Sequence, residues 1–259
     1  MLSKNQIKDI TALHHKKYRR EENLFLAEGE KVVGDLLKSG WHVLAVYGTQ
    51  EFFQRLSGNI MIPKATEIIL ITNEELNKIS SLTSPQSVLA VAEMPSDINE
   101  INFESGLKLV LDDINDPGNL GTLIRIADWF GIDEIICSEN SVDCYNPKVV
   151  QSAMGSLFRI KFHYKNLQEL LRKNLSEKKL PVYGTVLDGK NIYEEELSSD
   201  GFILIGNESI GIGNDQMKYI THSLTIPSYG ENKIDSLNVA VATGIVCAEF
   251  RRGNRKLDI

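Results

Sequence analysis

The chain has 259 residues, enough for one large domain or two ordinary ones, and its 42% hydrophobic and 24% charged residues are typical of a globular protein. It has no apolar run near the roughly 20 residues of a membrane helix, and its polar, basic start lacks the apolar segment of a secretory signal, so we expect a cytoplasmic protein without a membrane partner. The net charge of −7 argues against nucleic-acid binding by overall positive charge, although a local basic surface can still bind phosphate.

The three cysteines, Cys137, Cys144 and Cys247, are odd in number and lack the spacing of a zinc site or a redox pair. Unpaired thiols of this kind are typical of a reducing cytoplasm. We expect each to be a packing residue, and we expect no metal site.

Positive charge is concentrated in HHKKYRR, residues 14–20. Its cationic side chains are predicted to contact phosphates: Lys16, Lys17, Arg19 and Arg20. His14, His15 and Tyr18 are predicted to stack on unpaired bases. A solvated surface helix is the alternative interpretation.

Short apolar runs alternate with helical stretches from residue 24 onwards. The pattern predicts strands in NLFLAEG, HVLAVYG, EIILI and SVLAVAEM, and helices over 29–38, in EFFQRL and in NEELNKI. These elements form a predicted α/β domain over 1–95, and the more polar stretch 96–106 is a predicted linker.

A second α/β domain is predicted over 107–259. It opens with LKLVLDD, a continuous apolar run typical of a buried parallel strand, and continues with strands in DEIICS, PVYGTVL, GFILIG and SLTIP. Helices are predicted in TLIRIADWF, NPKVVQSAMG, NLQELLRKNL and SLNVAVATGIVCAEFRR. This alternation predicts a largely parallel sheet with both faces covered.

The first candidate loop, DDINDPGNLG at residues 112–121, joins the buried strand to a helix. Loops at the carboxyl ends of parallel strands are where α/β proteins bind ligands. Asn119 is suited to cap the helix, and Arg125 follows about a turn and a half later. A capped helix with a surface arginine explains the same residues.

The second candidate loop, GNESIG at residues 206–211, directly follows the strand FILIG. Its glycines let a backbone approach a nucleoside, but they also suit a simple turn. It lacks the middle glycine of a dinucleotide-binding loop, and the chain contains no phosphate-binding Gly-Lys-Ser/Thr sequence.

The third candidate loop runs from IPSYG at 226–230 through ENKID to the last helix. Ser236 is suited to cap that helix, and Asn238 falls in its first turn, where backbone N–H groups can face a ligand. An ordinary helix start uses the same residue types.

In this order, DDINDPGNLGTLIRIADWFG, ILIGNESIGI and IPSYG…SLNVAVATGI resemble the three motifs of the SpoU (TrmH-like) family of RNA 2′-O-ribose methyltransferases in the SPOUT superfamily. KYRREENLFLAEGEKVV and SPQSVLAVAE resemble the L30e-like substrate-binding domain of many members. The resemblance covers nearly the whole chain. Ser228 and Tyr229 depart from it, because many members have Met and a small residue there, and ENKID is slightly long.

The resemblance implies methyl transfer from S-adenosylmethionine to a ribose 2′-hydroxyl of RNA, with 23S-type rRNA favoured over tRNA, and no DNA partner. It implies an L30e-like α/β domain followed by a SPOUT α/β domain whose mainly parallel sheet ends in a trefoil knot, an exception to general folding rules. It also implies a homodimer, for which the last helix offers an apolar stripe of Val239, Ala242, Val246 and Phe250 unless that stripe packs on its own sheet.

The resemblance also implies roles for individual residues. Four match catalytic positions: Asn119, Arg125, Glu208 and Asn238. Five match cofactor-binding positions: Gly206, Asn207, Ile226, Ser236 and Leu237. The family's usual proposal makes the arginine a general base, but arginine pKa values lie above about 12, so a grip on the adjacent phosphate is a second role. Two alternative functions are a catalytically silent RNA-binding module and an enzyme acting on a small molecule.

Overall fold

The computed structural model describes residues 1–56, 62–95, 100–230 and 236–252. The ENKID stretch therefore lies outside the described residues. Contacts divide the chain into two compact units. The first unit comprises Met1–Asp97 and Asp143–Arg159, and the second comprises Ile98–Val142 and Ile160–Ile259.

The first unit is built on a four-stranded mixed sheet in the order β1-β4-β2-β3. Its strands are Leu24–Glu28 (β1), Val43–Gly48 (β2), Glu67–Leu70 (β3) and Val88–Glu93 (β4). Its first five helices are Lys4–Ala12 (α1), Lys16–Glu22 (α2), Glu30–Lys38 (α3), Gln50–Leu56 (α4) and Asn73–Ile79 (α5). The strands and helices predicted from residue 24 onwards are confirmed, whereas α1 is not among the predicted elements.

A segment from the middle of the chain completes the core of the first unit. Residues 143–159 contain α7 (Pro147–Ala153) and add Tyr145 and Phe158 to an aromatic cluster. The ring centroid of Tyr145 lies 5.1 Å from that of Phe25, and the centroid of Phe158 lies 5.3 Å from that of Trp41. The sequence-based division assigns this segment to the second domain, because it treats each domain as one continuous stretch.

The second unit is built on a six-stranded sheet in the order β10-β8-β9-β5-β6-β7, and every neighbouring pair is parallel. Its strands are Leu107–Leu111 (β5), Glu134–Ser138 (β6), Lys161–Lys165 (β7), Val182–Asn191 (β8), Gly201–Ile205 (β9) and His222–Thr225 (β10). Its helices are Pro117–Trp129 (α6), Leu167–Lys173 (α8), Asn214–Met217 (α9) and Val239–Arg252 (α10). The predicted parallel sheet is confirmed, although β7 and α9 are not among the predicted elements.

The interior strands of the second unit read as continuous apolar runs because they are covered on both faces. Every residue of β5 and β9 is buried. Even Lys108 in β5 is buried, where its ammonium group donates to the carbonyl oxygens of Ser105 and Gly106. Burial lowers the pKa of Lys108.

The apolar stripe of α10 is largely buried within the second unit. Val239, Val246 and Phe250 are buried within the chain, and Ala242 is half-buried. The ring of Phe250 packs edge-on against Tyr183, with centroids 4.9 Å apart. This stripe packs within its own unit, which is the alternative that the sequence left open.

All three cysteines are buried and none of the three forms a disulfide, as expected for packing residues. Burial raises the pKa of the Cys247 thiol to about 12, which keeps this thiol protonated at neutral pH. Within the described ranges, no helix is both long and apolar enough to cross a bilayer, and no three His, Cys, Asp or Glu side chains are grouped to hold a metal ion.

Candidate active site

The first two candidate loops leave the sheet side by side. β5 and β9 are parallel neighbours, so the loops after Leu111 and Ile205 start at the same carboxyl edge. The ladder continues one step further, where the Asp112 N–H donates to the Ile205 carbonyl at 2.9 Å. Strand order therefore brings together two motifs that are about 90 residues apart in the chain.

Helix α6 is capped by Asp116, whose side chain accepts a hydrogen bond from the Asn119 N–H at 2.8 Å. Pro117 fills the first helical position, where no N–H is needed. The prediction that Asn119 caps this helix is therefore wrong. Asn119 lies in the first turn, and its side chain is available for other partners.

The polar residues of the three loops form one hydrogen-bonded chain. Asn119 Nδ2 donates to Glu208 Oε1 at 2.8 Å. Asn238 Nδ2 donates to Asn119 Oδ1 at 3.1 Å. We call Glu208, Asn119 and Asn238 the amide relay. It joins one residue from each sequence motif, all of them predicted catalytic residues, although the sequence does not specify their mutual contacts.

Asn238 also caps the last helix. Its Oδ1 accepts hydrogen bonds from the N–H groups of Ala240 at 2.9 Å and Val241 at 3.3 Å. The expectation that Ser236 is the cap is wrong, because α10 begins at Val239 and Ser236 lies too early in the chain. Asn238 therefore fixes the helix start and one end of the relay with the same side chain.

Arg125 stands apart from the amide relay. It lies in the middle of α6 and is exposed. Among the residues that the structure describes, its guanidinium has no hydrogen-bonding or ion-pairing partner. The Glu208 carboxylate accepts from Asn119 and not from this arginine. The Arg125 side chain is therefore available to an external anion.

The five predicted cofactor positions lie in the second and third loops. Gly206 and Asn207 follow β9, and Ile226 follows β10. Ser236 and Leu237 are exposed immediately before the Asn238 cap. Any side chain at Gly206 would collide with the backbone of Gly211, since its Cβ would lie 2.2 Å from the Gly211 carbonyl carbon. A glycine at position 206 is therefore required for the two ends of the second loop to approach each other this closely.

Sequence reasoning assigned no role to Asp112 beyond its place in the first loop. Its Oδ2 accepts a hydrogen bond from the Gly213 N–H at 2.8 Å, which ties the end of the second loop to β5. Burial raises the pKa of Asp112, while the bond from Gly213 opposes that shift. The sequence does show an acidic residue directly after a buried strand. It does not show the partner of this residue, because Gly213 lies 101 residues away.

The basic helix α2 belongs to the first unit. Of its four predicted RNA contacts, one is wrong because the side chain is buried. Lys16, Lys17 and Arg20 are exposed, but Arg19 is 1% exposed. The Arg19 guanidinium donates to Asp143 Oδ2 at 2.6 Å and to the carbonyls of Leu13 and His14. Arg19 therefore makes stabilising contacts inside the first unit and is not available to RNA.

Of the three rings near α2 that are predicted to stack on bases, two are exposed and one is half-buried. His15 and Tyr18 are exposed, and their rings meet edge-on with centroids 6.4 Å apart. His14 is half-buried, and its Nε2 lies 3.0 Å from the Ile79 carbonyl. Only the first two rings therefore present a free surface.

Known proteins resemble this chain over its whole length. It is 34% identical to the Bacillus subtilis 23S rRNA (guanosine(2553)-2′-O)-methyltransferase RlmP, covering 96% of this chain and 97% of the relative. An AdoMet-bound rRNA methyltransferase from Sinorhizobium meliloti superposes with a TM-score of 0.86 at 30% identity, covering 99% and 97% of the two chains. The SpoU methyltransferase AviRb from Streptomyces viridochromogenes, in complex with AdoMet, gives a TM-score of 0.83 at 25% identity, covering 97% and 98%.

Two family models match successive parts of the chain. The MRM3-like substrate binding domain matches residues 4–90, and the SpoU rRNA Methylase family matches residues 106–248. The second match includes every residue of the amide relay and Arg125. This chain therefore belongs to the SpoU rRNA methylase family.

Proposed function

We propose that this protein transfers a methyl group from S-adenosylmethionine to a ribose 2′-hydroxyl of 23S-type rRNA. The amide relay is the observation that carries the proposal, because it joins the catalytic position of each SpoU motif in one hydrogen-bonded chain. The name of the Bacillus subtilis relative makes a guanosine of 23S rRNA the first substrate to test.

The loops around the relay suit S-adenosylmethionine. Ile210 and Leu237 expose apolar side chains in the second and third loops, where an adenine face would cover them. Ile226 and Ser236 are further candidates to hold the cofactor. When bound, the cofactor supplies an already activated sulfonium methyl group, so the protein needs no metal for this chemistry.

The relay and Arg125 supply orientation and charge. After its bond to Glu208, Asn119 Nδ2 retains a second hydrogen with which it can hold the ribose. An arginine acts as a base only where burial strongly disfavours its charged form. Because Arg125 is exposed, we assign it to grip the phosphate next to the target ribose and to align the hydroxyl.

We assign RNA delivery to the exposed face of α2. Lys16, Lys17 and Arg20 supply cations to phosphates, and Tyr18 supplies an exposed ring for a base. Arg19 supports this surface from the inside by holding the turn between α1 and α2.

We further propose a cytoplasmic homodimer with a trefoil knot in its second unit. The dimer face we now favour is the exposed side of α6 and α10, two helices that pack against each other. Trp129 is 84% exposed there and Val241 is 53% exposed, together with Ala248. A large exposed aromatic side chain is typical of a protein interface.

A catalytically silent RNA-binding module is the alternative function. It would have no need for an intact relay or for an exposed arginine at position 125, so the site disfavours it. The deciding experiment is mass-spectrometric mapping of ribose methylation in total RNA from cells with and without this protein. Loss of one 2′-O-methyl group from 23S rRNA supports the proposal, and an unchanged map together with cofactor binding favours the silent module.

A further inference from the structure

The loop that carries Glu208 is held at both ends by two consecutive residues that follow β5. At its start, Asn207 Nδ2 donates to the main-chain carbonyl of Asp113 at 2.7 Å. At its end, the Gly213 N–H donates to Asp112 Oδ2 at 2.8 Å. Between these points, Asn207 and Gly211 exchange backbone hydrogen bonds of 3.0 Å. The position of this loop is therefore set by residues 112 and 113.

Asp113 has an unusual backbone conformation. Its φ is 55°, in the left-handed region that is unfavourable for residues with a Cβ and least unfavourable for Asn and Asp. Ser138 at the end of β6 holds this conformation. The Asp113 N–H donates to Ser138 Oγ at 2.9 Å, and Ser138 Oγ donates back to Asp113 Oδ1 at 2.8 Å.

Ser141 supports Ser138 from behind. The two hydroxyl oxygens lie 2.9 Å apart, and Ser141 Oγ also accepts from the Ile114 N–H at 3.2 Å. Ser138 is 7% exposed and Ser141 is 1% exposed, so water competes little for these bonds. The left-handed turn at Asp113 is thus built into the interior of the unit.

The side chain of Asn207 makes three hydrogen bonds within the protein. Besides donating to Asp113, it accepts hydrogen bonds at Oδ1 from the N–H groups of Ser209 at 2.8 Å and Ile210 at 3.2 Å. Asn207 stays a predicted cofactor contact. The residue after it is Glu208, whose carboxylate receives Asn119 of the relay.

We propose that Ser138, Asp113 and Asn207 form a latch that positions Glu208 for methyl transfer. The latch acts through the left-handed backbone of Asp113, which presents its carbonyl oxygen to Asn207. These are positioning residues, and the inference rests on the proposed function for its catalytic consequence. Released from the latch, the loop would carry Glu208 away from Asn119 and leave that amide without its orienting acceptor.

The test compares substitutions at Asp113 that differ in their tolerance of a positive φ. Asp113→Val disfavours the left-handed turn, so we expect kcat to fall about tenfold and amide exchange over residues 206–213 to accelerate about tenfold. Asp113→Gly loses the carboxylate but keeps the turn, so it should retain kcat within about threefold. Lys179→Val is the matched control, because Lys179 has a φ of 57° at an exposed helix end in the same unit.

Two further variants make the outcome decisive. In a Glu208→Ala background, which removes the side-chain acceptor for Asn119, Asp113→Val should cause little additional loss of kcat, because the latch acts through that carboxylate. If Asp113→Val does not fold, Asn207→Ser removes the donor from the other side of the latch. Equal losses in Asp113→Val and Asp113→Gly, unchanged exchange, or an additive loss with Glu208→Ala would each overturn the proposal. If the wild-type protein transfers no methyl group, the proposed function fails, whereas amide exchange still decides whether the latch exists.

Discussion

Asn238 fixes the direction of the Asn119 amide. Asn238 Oδ1 is committed to the first N–H groups of α10, so its Nδ2 faces Asn119 and donates to Oδ1 at 3.1 Å. With Oδ1 thus occupied, Asn119 Nδ2 is directed to Glu208. The start of α10 therefore determines which way the Asn119 amide points.

Replacing Asn119 with aspartate should disable the relay without changing its size. The new carboxylate would face Glu208 where a donor is now 2.8 Å away, so the two charges would repel each other. We expect kcat to fall about a hundredfold, since small displacements of positioning groups have effects of that order. Initial rates of tritiated-methyl transfer measure it.

The loss of kcat in Asn119→Asp, relative to wild type, should become smaller as the pH is lowered. At lower pH the two carboxylates can share one proton, which restores a hydrogen bond between them. Asn77→Asp adds the same charge at an exposed position of α5 and serves as the control. Activity within threefold of wild type would show that the Asn119–Glu208 contact is irrelevant to catalysis.

Arg125→Ala should reduce methyl transfer to less than about a tenth while S-adenosylmethionine affinity changes by no more than a few fold. Arg125 lies on α6, outside the two loops assigned to the cofactor, and it is exposed. Calorimetry and a methyl-transfer assay separate the two effects. Arg125→Lys should recover part of the activity if the side chain grips a phosphate, because a lysine still supplies the charge. No recovery with lysine would count against the phosphate role.

The sequence is a good guide to elements with strong periodicity and a poor guide to long-range polar contacts. The buried strand β5 and helix α6 are evident because each has an apolar pattern of its own. The predicted catalytic residues follow from motif order, but the bond between Asn119 and Glu208 joins residues 89 apart and depends on strand order. The burial of Arg19 is equally hidden, because its partner Asp143 is 124 residues away.

Arg19→Met should destabilise the protein rather than weaken RNA binding directly. The side chains of Arg19 and Asp143 are 2% and 12% exposed, so removing the cation leaves a nearly buried carboxylate without its partner. Losses of about 3–5 kcal/mol in the free energy of unfolding are typical of such changes. Chemical denaturation measures the loss, and Arg20→Met on the exposed face of the same helix is the control. Equal stability of the two variants would contradict the internal role of Arg19.

Trp129→Glu should convert the proposed dimer into a monomer that keeps its fold. Trp129 is 84% exposed in the single chain, so the substitution costs little within a subunit but places a charge in the proposed interface. Light scattering at micromolar concentration, together with circular dichroism, measures both properties. Leu175→Glu, at a 51% exposed apolar side chain elsewhere in the second unit, is the matched control. A monomeric wild-type protein, or a dimeric Trp129→Glu variant, would rule out this face.

Replacing Lys16, Lys17 and Arg20 together with alanine should weaken RNA binding and flatten its salt dependence while leaving cofactor affinity unchanged. All three are exposed on α2, and the one ion pair among them, Lys17 with Glu21 at 3.8 Å, is solvent-exposed and worth little. If each cation meets one phosphate, the slope of log affinity against log salt should fall by about two to three units. The control is Lys38, Lys64 and Lys78 to alanine, which removes the same charge from other exposed positions of the first unit. A loss that is equal in both triple variants would reflect net charge alone and would refute α2 as the RNA-binding surface.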